Sequence, residues 1–125
     1  GTVLATIADK DKEEALPLIR RFYNLGFNIQ ATEGTALYLK RNGIRTHILG
    51  KISDGSEEIP DALRQGHIAY VLNTRDPGEG SANDGHQIRL LATENNVTIF
   101  TALDTVKVLL DVLEETTLTI STIDS

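Results

Sequence analysis

One unit recurs along this chain and narrows its fold more than any other feature: a short apolar, β-branched run, a polar loop, a stretch with helical spacing, and a closing glycine. Residues 2–7 form the first run, which stops at Asp9-Lys10-Asp11, where short carboxylates can cap a helix. From Glu13 to Leu25 the apolar residues Ala15, Leu16, Leu18, Ile19, Phe22, Tyr23 and Leu25 fall at helical spacing, and Gly26 supplies a left-handed stop. Pro17 then has to sit in the first turn, where a missing N–H costs nothing.

The unit returns as a strand over 27–31, a helix over 35–42 closed by Gly43, and a strand over 46–49. A brief helix over 57–65 ends at Gly66, and residues 68–72 make the most apolar strand, which is expected at the centre of the sheet. A helix over 84–95, a strand over 97–100 and a last helix over 102–113 capped by Thr101 complete the pattern. The tail, residues 114–125, alternates threonine with Leu118, Ile120 and Ile123 and reads either as an edge strand or as a tether.

Strands alternating with helices at such short spacing pair in parallel through right-handed crossovers. The expectation is an α/β fold, a three-layer α/β/α arrangement with a five-stranded central parallel sheet. Residues 1–113 make one domain and 114–125 its tail. At 125 residues there is room for one core and not two.

The composition, 40% hydrophobic and 24% charged, is that of an ordinary globular domain, with no apolar run of the roughly 18 residues that a membrane span needs. Cysteine is absent, which excludes disulfides, thiolate nucleophiles and cysteine-bound metals and agrees best with a cytoplasmic setting. His47, His67 and His86 lack the short helical spacing of a metal pair, so no metal is expected. A formal net charge of −6 argues against a broad nucleic-acid surface, while leaving room for one phosphate pocket. The chain lacks methionine and enters a strand-like run after one residue, the start expected of a piece cut from a larger protein.

In a sheet of this kind the ligand lies beyond the carboxyl ends of the strands, which selects five loops. Thr32-Glu33-Gly34-Thr35 places two hydroxyls and a glycine at a helix start, where free N–H groups and the positive dipole end suit a phosphate. Lys12 after the first strand and Lys51 after the third can clamp one anion between them. Asn73 and Thr74 close the fourth strand, where an amide and a hydroxyl can bind ribose or base groups, and Arg75 and Arg89 can add bidentate contacts. The polar stretch 75–83, with Pro77, Gly78 and Gly80, reads as a binding loop. Asp54, Glu57, Glu58 and Asp61 read as a solvated helix start rather than an acid–base pair.

These residues resemble the methylglyoxal-synthase-like domains, and among them the carboxy-terminal allosteric domain of the carbamoyl-phosphate synthase large subunit. The likeness covers nearly the whole chain. It is carried by Asp11-Lys12-Glu13, by Gly26-Phe27, by Ala31-Thr32-Glu33-Gly34-Thr35-Ala36, by Lys51-Ile52, by Gly66 before Tyr70-Val71-Leu72-Asn73-Thr74, and by Ile88-Arg89. The resemblance implies a domain that performs no chemistry but binds a nucleotide effector, UMP or IMP. It would pass the signal to synthetase domains of the same parent chain, which works with a glutaminase small subunit. Cofactors are implied only for the parent, ATP with magnesium or manganese, in carbamoyl phosphate synthesis for the pyrimidine and arginine pathways.

Carried over by position, the family's phosphate and ribose contacts fall on Lys12, Thr32, Thr35, Lys51, Asn73 and Thr74. The chain departs from that pattern at Arg75-Asp76-Pro77, where relatives often carry small hydroxyl residues, and at Gly85, where a serine sometimes precedes the Ile-Arg helix. The rival within the resemblance is methylglyoxal synthase itself, which acts on dihydroxyacetone phosphate and needs a carboxylate base after the third strand. Here that stretch reads Ser53-Asp54-Gly55-Ser56, and Ser56 falls where the base is required. A phospho-receiver module would need an aspartate at the end of the third strand, which instead runs into Leu49-Gly50-Lys51.

Overall fold

The computed structural model describes residues 1–75 and 84–124, with side chains as far as Leu118. Apart from Arg75, the predicted binding loop therefore lies outside the described residues. Five strands, β1 (Thr2–Thr6), β2 (Asn28–Ala31), β3 (Thr46–Ile48), β4 (Ile68–Asn73) and β5 (Thr98–Phe100), form one sheet in the order β3-β2-β1-β4-β5. Every pairing is parallel. The helices are α1 (Lys12–Asn24), α2 (Glu33–Arg41), α3 (Glu58–Arg64), α4 (Asp84–Glu94) and α5 (Leu103–Asp124).

The three-layer reading holds. On one face Val3 and Ala5 of β1 meet Ile19 and Phe22 of α1, Leu39 of α2 and Leu110 of α5. On the other, Leu4 and Val71 meet Leu63 of α3 and Ile88 of α4. Phe22 is wholly buried and stands edge-on to Phe27, with ring centroids 5.4 Å apart. Burying such a ring contributes about 1.5–3 kcal/mol.

Five expectations are corrected. β1, not β4, is the central strand, because the chain winds outward through β2 and β3, returns to the other side of β1, and lays β4 and β5 there. Val3, Leu4 and Ala5 are fully buried in consequence, with core on both faces of the sheet. Pro17 lies beyond the first turn of α1, since the helix starts at Lys12; its missing N–H faces solvent on an exposed position and spares the buried stripe of Ala15, Leu18 and Ile19.

α2 starts at Glu33 rather than at Thr35, which draws Gly34 and Thr35 into its first turn. The tail is helix rather than edge strand: α5 continues through Glu114 to Asp124. No glycine or proline interrupts that stretch, and the Thr117 hydroxyl donates to the Leu113 carbonyl 2.9 Å away, so a threonine read as a strand former satisfies itself within the helix. Arg21 of α1 bridges Asp111 and Glu114, one on each side of the expected helix end. α5 begins at Leu103 rather than at Ala102, one residue further from Thr101 than a cap stands, and the Thr105 hydroxyl donates to the Ala102 carbonyl.

Candidate functional site

β1 and β4 lie side by side, yet the chain leaves β1 for α1 on one face and next enters α4 on the other. At that switch point the carboxyl ends of the two strands part and open a cleft of about 330 Å³. Its floor is the end of β1 and the turn after it, residues Thr6 to Asp9. Thr32 and Thr35 of the α2 start line one wall, Lys51 and Ser53 another, and Asn73, Thr74, Asp84, Gly85 and Ile88 the rest.

Five of the residues singled out from the sequence thus meet in one cleft: Thr32, Thr35, Lys51, Asn73 and Thr74. The other four stand around it. Lys12 and Gly34 line an adjoining groove between α1 and α2, together with Leu16, Tyr38 and Arg41, and Asp9 is the wall common to groove and cleft. Arg75 lines a third hollow with Lys10 and Asp104, which shares Thr74 with the cleft. Arg89 reaches the cleft through another residue: its Nη1 donates to Asn73 Oδ1 at 2.5 Å.

Several of these side chains build the cleft as well as line it. Thr35 is 4% exposed, and its hydroxyl accepts from the Ile7 N–H at 3.0 Å. Thr74 Oγ1 accepts from the Ala8 N–H at 2.8 Å, while the Thr74 N–H donates to the Thr6 carbonyl at 3.2 Å. Asn73 Nδ2 donates to Thr6 Oγ1 at 2.5 Å. The strand end therefore has its backbone polar groups met from both neighbouring elements, which a buried turn demands. The Asn73 amide is oriented by Thr6 on one side and Arg89 on the other.

The earlier start of α2 changes which backbone donors face the cleft. Its first helical bond runs from the Ala36 N–H to the Thr32 carbonyl, so the N–H groups of Glu33, Gly34 and Thr35 have no acceptor within the helix. The Thr32 hydroxyl makes no capping bond. Donors of this kind, with the positive end of the helix dipole, favour an anion beside Lys51.

The acids are disposed differently. Lys12 Nζ pairs with Asp9 Oδ1, and that hydrogen bond, followed by the lysine's charge, holds the Asp9 carboxyl below the usual carboxylate range. Asp84 spends both oxygens on the facing loop: Oδ2 accepts from the Ile52 N–H at 2.8 Å and Oδ1 from the Ser53 N–H at 2.9 Å. Ser56 turns to α3, where the Glu58 N–H donates to its hydroxyl at 3.2 Å, and Glu58 in turn accepts from the Gly50 N–H at 3.0 Å. Neither Ser56 nor Asp54 lines the cleft. Glu57 and Asp61 stand exposed beside Arg64.

Sequence reasoning did not assign Asp9, Ser53, Asp84 or Gly85 to the site. Asp9 and Ser53 lie in loops that the strand-end rule selects, but Asp9 reads locally as a helix cap and Ser53 only as a neighbour of the position where a base would stand. For Asp84 the only local sign is an acid in a helix's first turn, which normally serves its own helix rather than a loop 31 and 32 residues away.

A family model described as MGS-like domain matches residues 14–101. Among solved structures, a methylglyoxal synthase from Elizabethkingia anophelis NUHP1 superposes with a TM-score of 0.71 at 17% identity, over 87% of this chain and 76% of that one. ForH superposes with a TM-score of 0.63 at 21% identity, over 91% of this chain and 79% of the other. At these identities the two structures testify to the fold.

Proposed function

The chain belongs to the family of MGS-like domains, and from that premise we propose that it is an effector-binding domain that performs no chemistry of its own. The effector is a phosphorylated small molecule, a nucleoside monophosphate, with UMP placed before IMP. Its phosphate sits on Lys51, the Thr32 hydroxyl and the free N–H groups of α2, with Lys12 at the rim, and its ribose lies near Asn73 and Thr74. In this reading the chain is the allosteric part of a glutamine-dependent carbamoyl-phosphate synthase large subunit. ATP and its metal then act in the synthetase domains of the parent, beside a glutaminase small subunit.

One observation carries the reading: the cleft is furnished for an anion, and among the described residues that line it no carboxylate is available as a base. Drawing a proton from carbon takes a carboxylate that can accept it. Asp9 is made a weaker base by Lys12, Asp84 has both oxygens engaged by backbone N–H groups, and Ser56 offers a hydroxyl turned elsewhere. Titration calorimetry with UMP, IMP and inorganic phosphate tests the site. Heat of binding with UMP, at an affinity that Lys51→Ala weakens, is expected; no binding of any of the three would refute it.

The second reading, a stand-alone methylglyoxal synthase acting on dihydroxyacetone phosphate, has its own support in the fold shared with that enzyme and in the two carboxylates that line the cleft. It requires methylglyoxal and inorganic phosphate to appear together when the chain meets dihydroxyacetone phosphate. Formation well above the uncatalysed rate would establish it in place of the first.

A further inference from the structure

Asp84 opens α4 on one side of the cleft, and Lys51 lies on the loop opposite, between β3 and α3. The two elements belong to distant parts of the chain, and the Asp84 carboxylate joins them by accepting the N–H groups of Ile52 and Ser53. Those are the first two residues after Lys51. They enter a single 3-10 turn, Ile52–Asp54, whose first N–H groups have no partner inside so short a helix, and the Lys51 side chain makes no capping bond to it. The extended backbone of Lys51, with φ −71° and ψ 140°, is thus fixed directly before a pair of charge-assisted hydrogen bonds.

We infer that Asp84 is the positioning residue of the cleft, holding the Lys51 loop so that the ammonium group faces the anion. The carboxylate contributes no favourable contact to that anion; its like charge would repel one. Its action runs through the loop backbone. This inference rests on the proposed role of Lys51 as an anion contact, and it adds what sets the lysine in place. It also assigns the acid a duty that removes it from the candidates for a general base.

The geometry predicts a coupling that a general structural role would not give. Inorganic phosphate, titrated calorimetrically, should bind Asp84→Ala about tenfold more weakly than the unaltered chain. In a Lys51→Ala background the same substitution should cost less than about twofold, because the lysine it positions is gone. An equal loss in both backgrounds would overturn the inference.

A second measurement needs no ligand. Amide hydrogen exchange at Ile52 and Ser53 should quicken in Asp84→Ala and less so in Asp84→Asn, whose amide keeps one acceptor oxygen. The amides of β1 and β4 should keep their rates, which also verifies that each variant is folded. Unchanged exchange at Ile52 and Ser53 would overturn the positioning role whether or not phosphate binds. Quickened exchange in a protein whose unaltered form binds no phosphate would leave the loop tie standing and overturn the effector reading.

Discussion

At the scale of single residues, the site's side chains work twice. Thr35 presents a helix start to the cleft and also bonds the Ile7 N–H across the β1 end. Thr35→Val keeps the shape and strands that buried N–H, so it should cost about 1–3 kcal/mol of stability, measured by urea denaturation. Lys51 is exposed and forms no part of the core, so Lys51→Ala should leave stability nearly unchanged and weaken phosphate-bearing ligands by about 1.5–3 kcal/mol, read by calorimetry. Lys51 and the Thr32-to-Thr35 segment were legible because loops at the strand ends can be placed once strands and helices are counted. The dual duties of Thr35 and Thr74, and the reach of Asp84 to a distant loop, were not legible. They depend on which strands are neighbours in space, and no local spacing encodes that.

At the scale of elements, the glycine-closed helices were readable because a left-handed backbone leaves a sequence mark. Gly26 adopts φ +98°, and Gly26→Ala should destabilise the chain by about 1–3 kcal/mol in the same denaturation experiment. α5 was misread over its second half because alternating threonine and leucine suits a strand locally, and its helical continuation is supported by tertiary contact with α1. Arg21 supplies that contact, raising its own affinity for a proton through Glu114 and then Asp111, and holding the Glu114 carboxyl below its ordinary value of 4.5. A group with a lowered folded pKa contributes fully above its unfolded value, and the contribution is lost as pH falls through the folded one. Thermal stability should therefore decline on acidification below about 4.5, and Arg21→Ala should make that decline shallower while lowering stability at neutral pH. An unaltered acid limb in the variant would show that the ion pair contributes nothing.

At the scale of the whole molecule, the parallel three-layer architecture followed from the order of strands and helices, but the identity of the central strand did not. Apolar content favoured β4, whereas strand order depends on where the winding reverses, and that reversal beside β1 is what opens the cleft. A ligand bound there touches both halves of the sheet and should stabilise the fold as a unit. At a hundred times its dissociation constant it contributes about 2.7 kcal/mol, seen as a rise of several degrees in the melting temperature with UMP and none with uridine at equal concentration. The most direct test of the central claim is a crystal structure of the chain grown with saturating UMP. The account predicts the phosphate within hydrogen-bond distance of Lys51 and the first N–H groups of α2, with the ribose against Asn73 and Thr74. A nucleotide bound elsewhere, or a cleft empty at saturation, would contradict it.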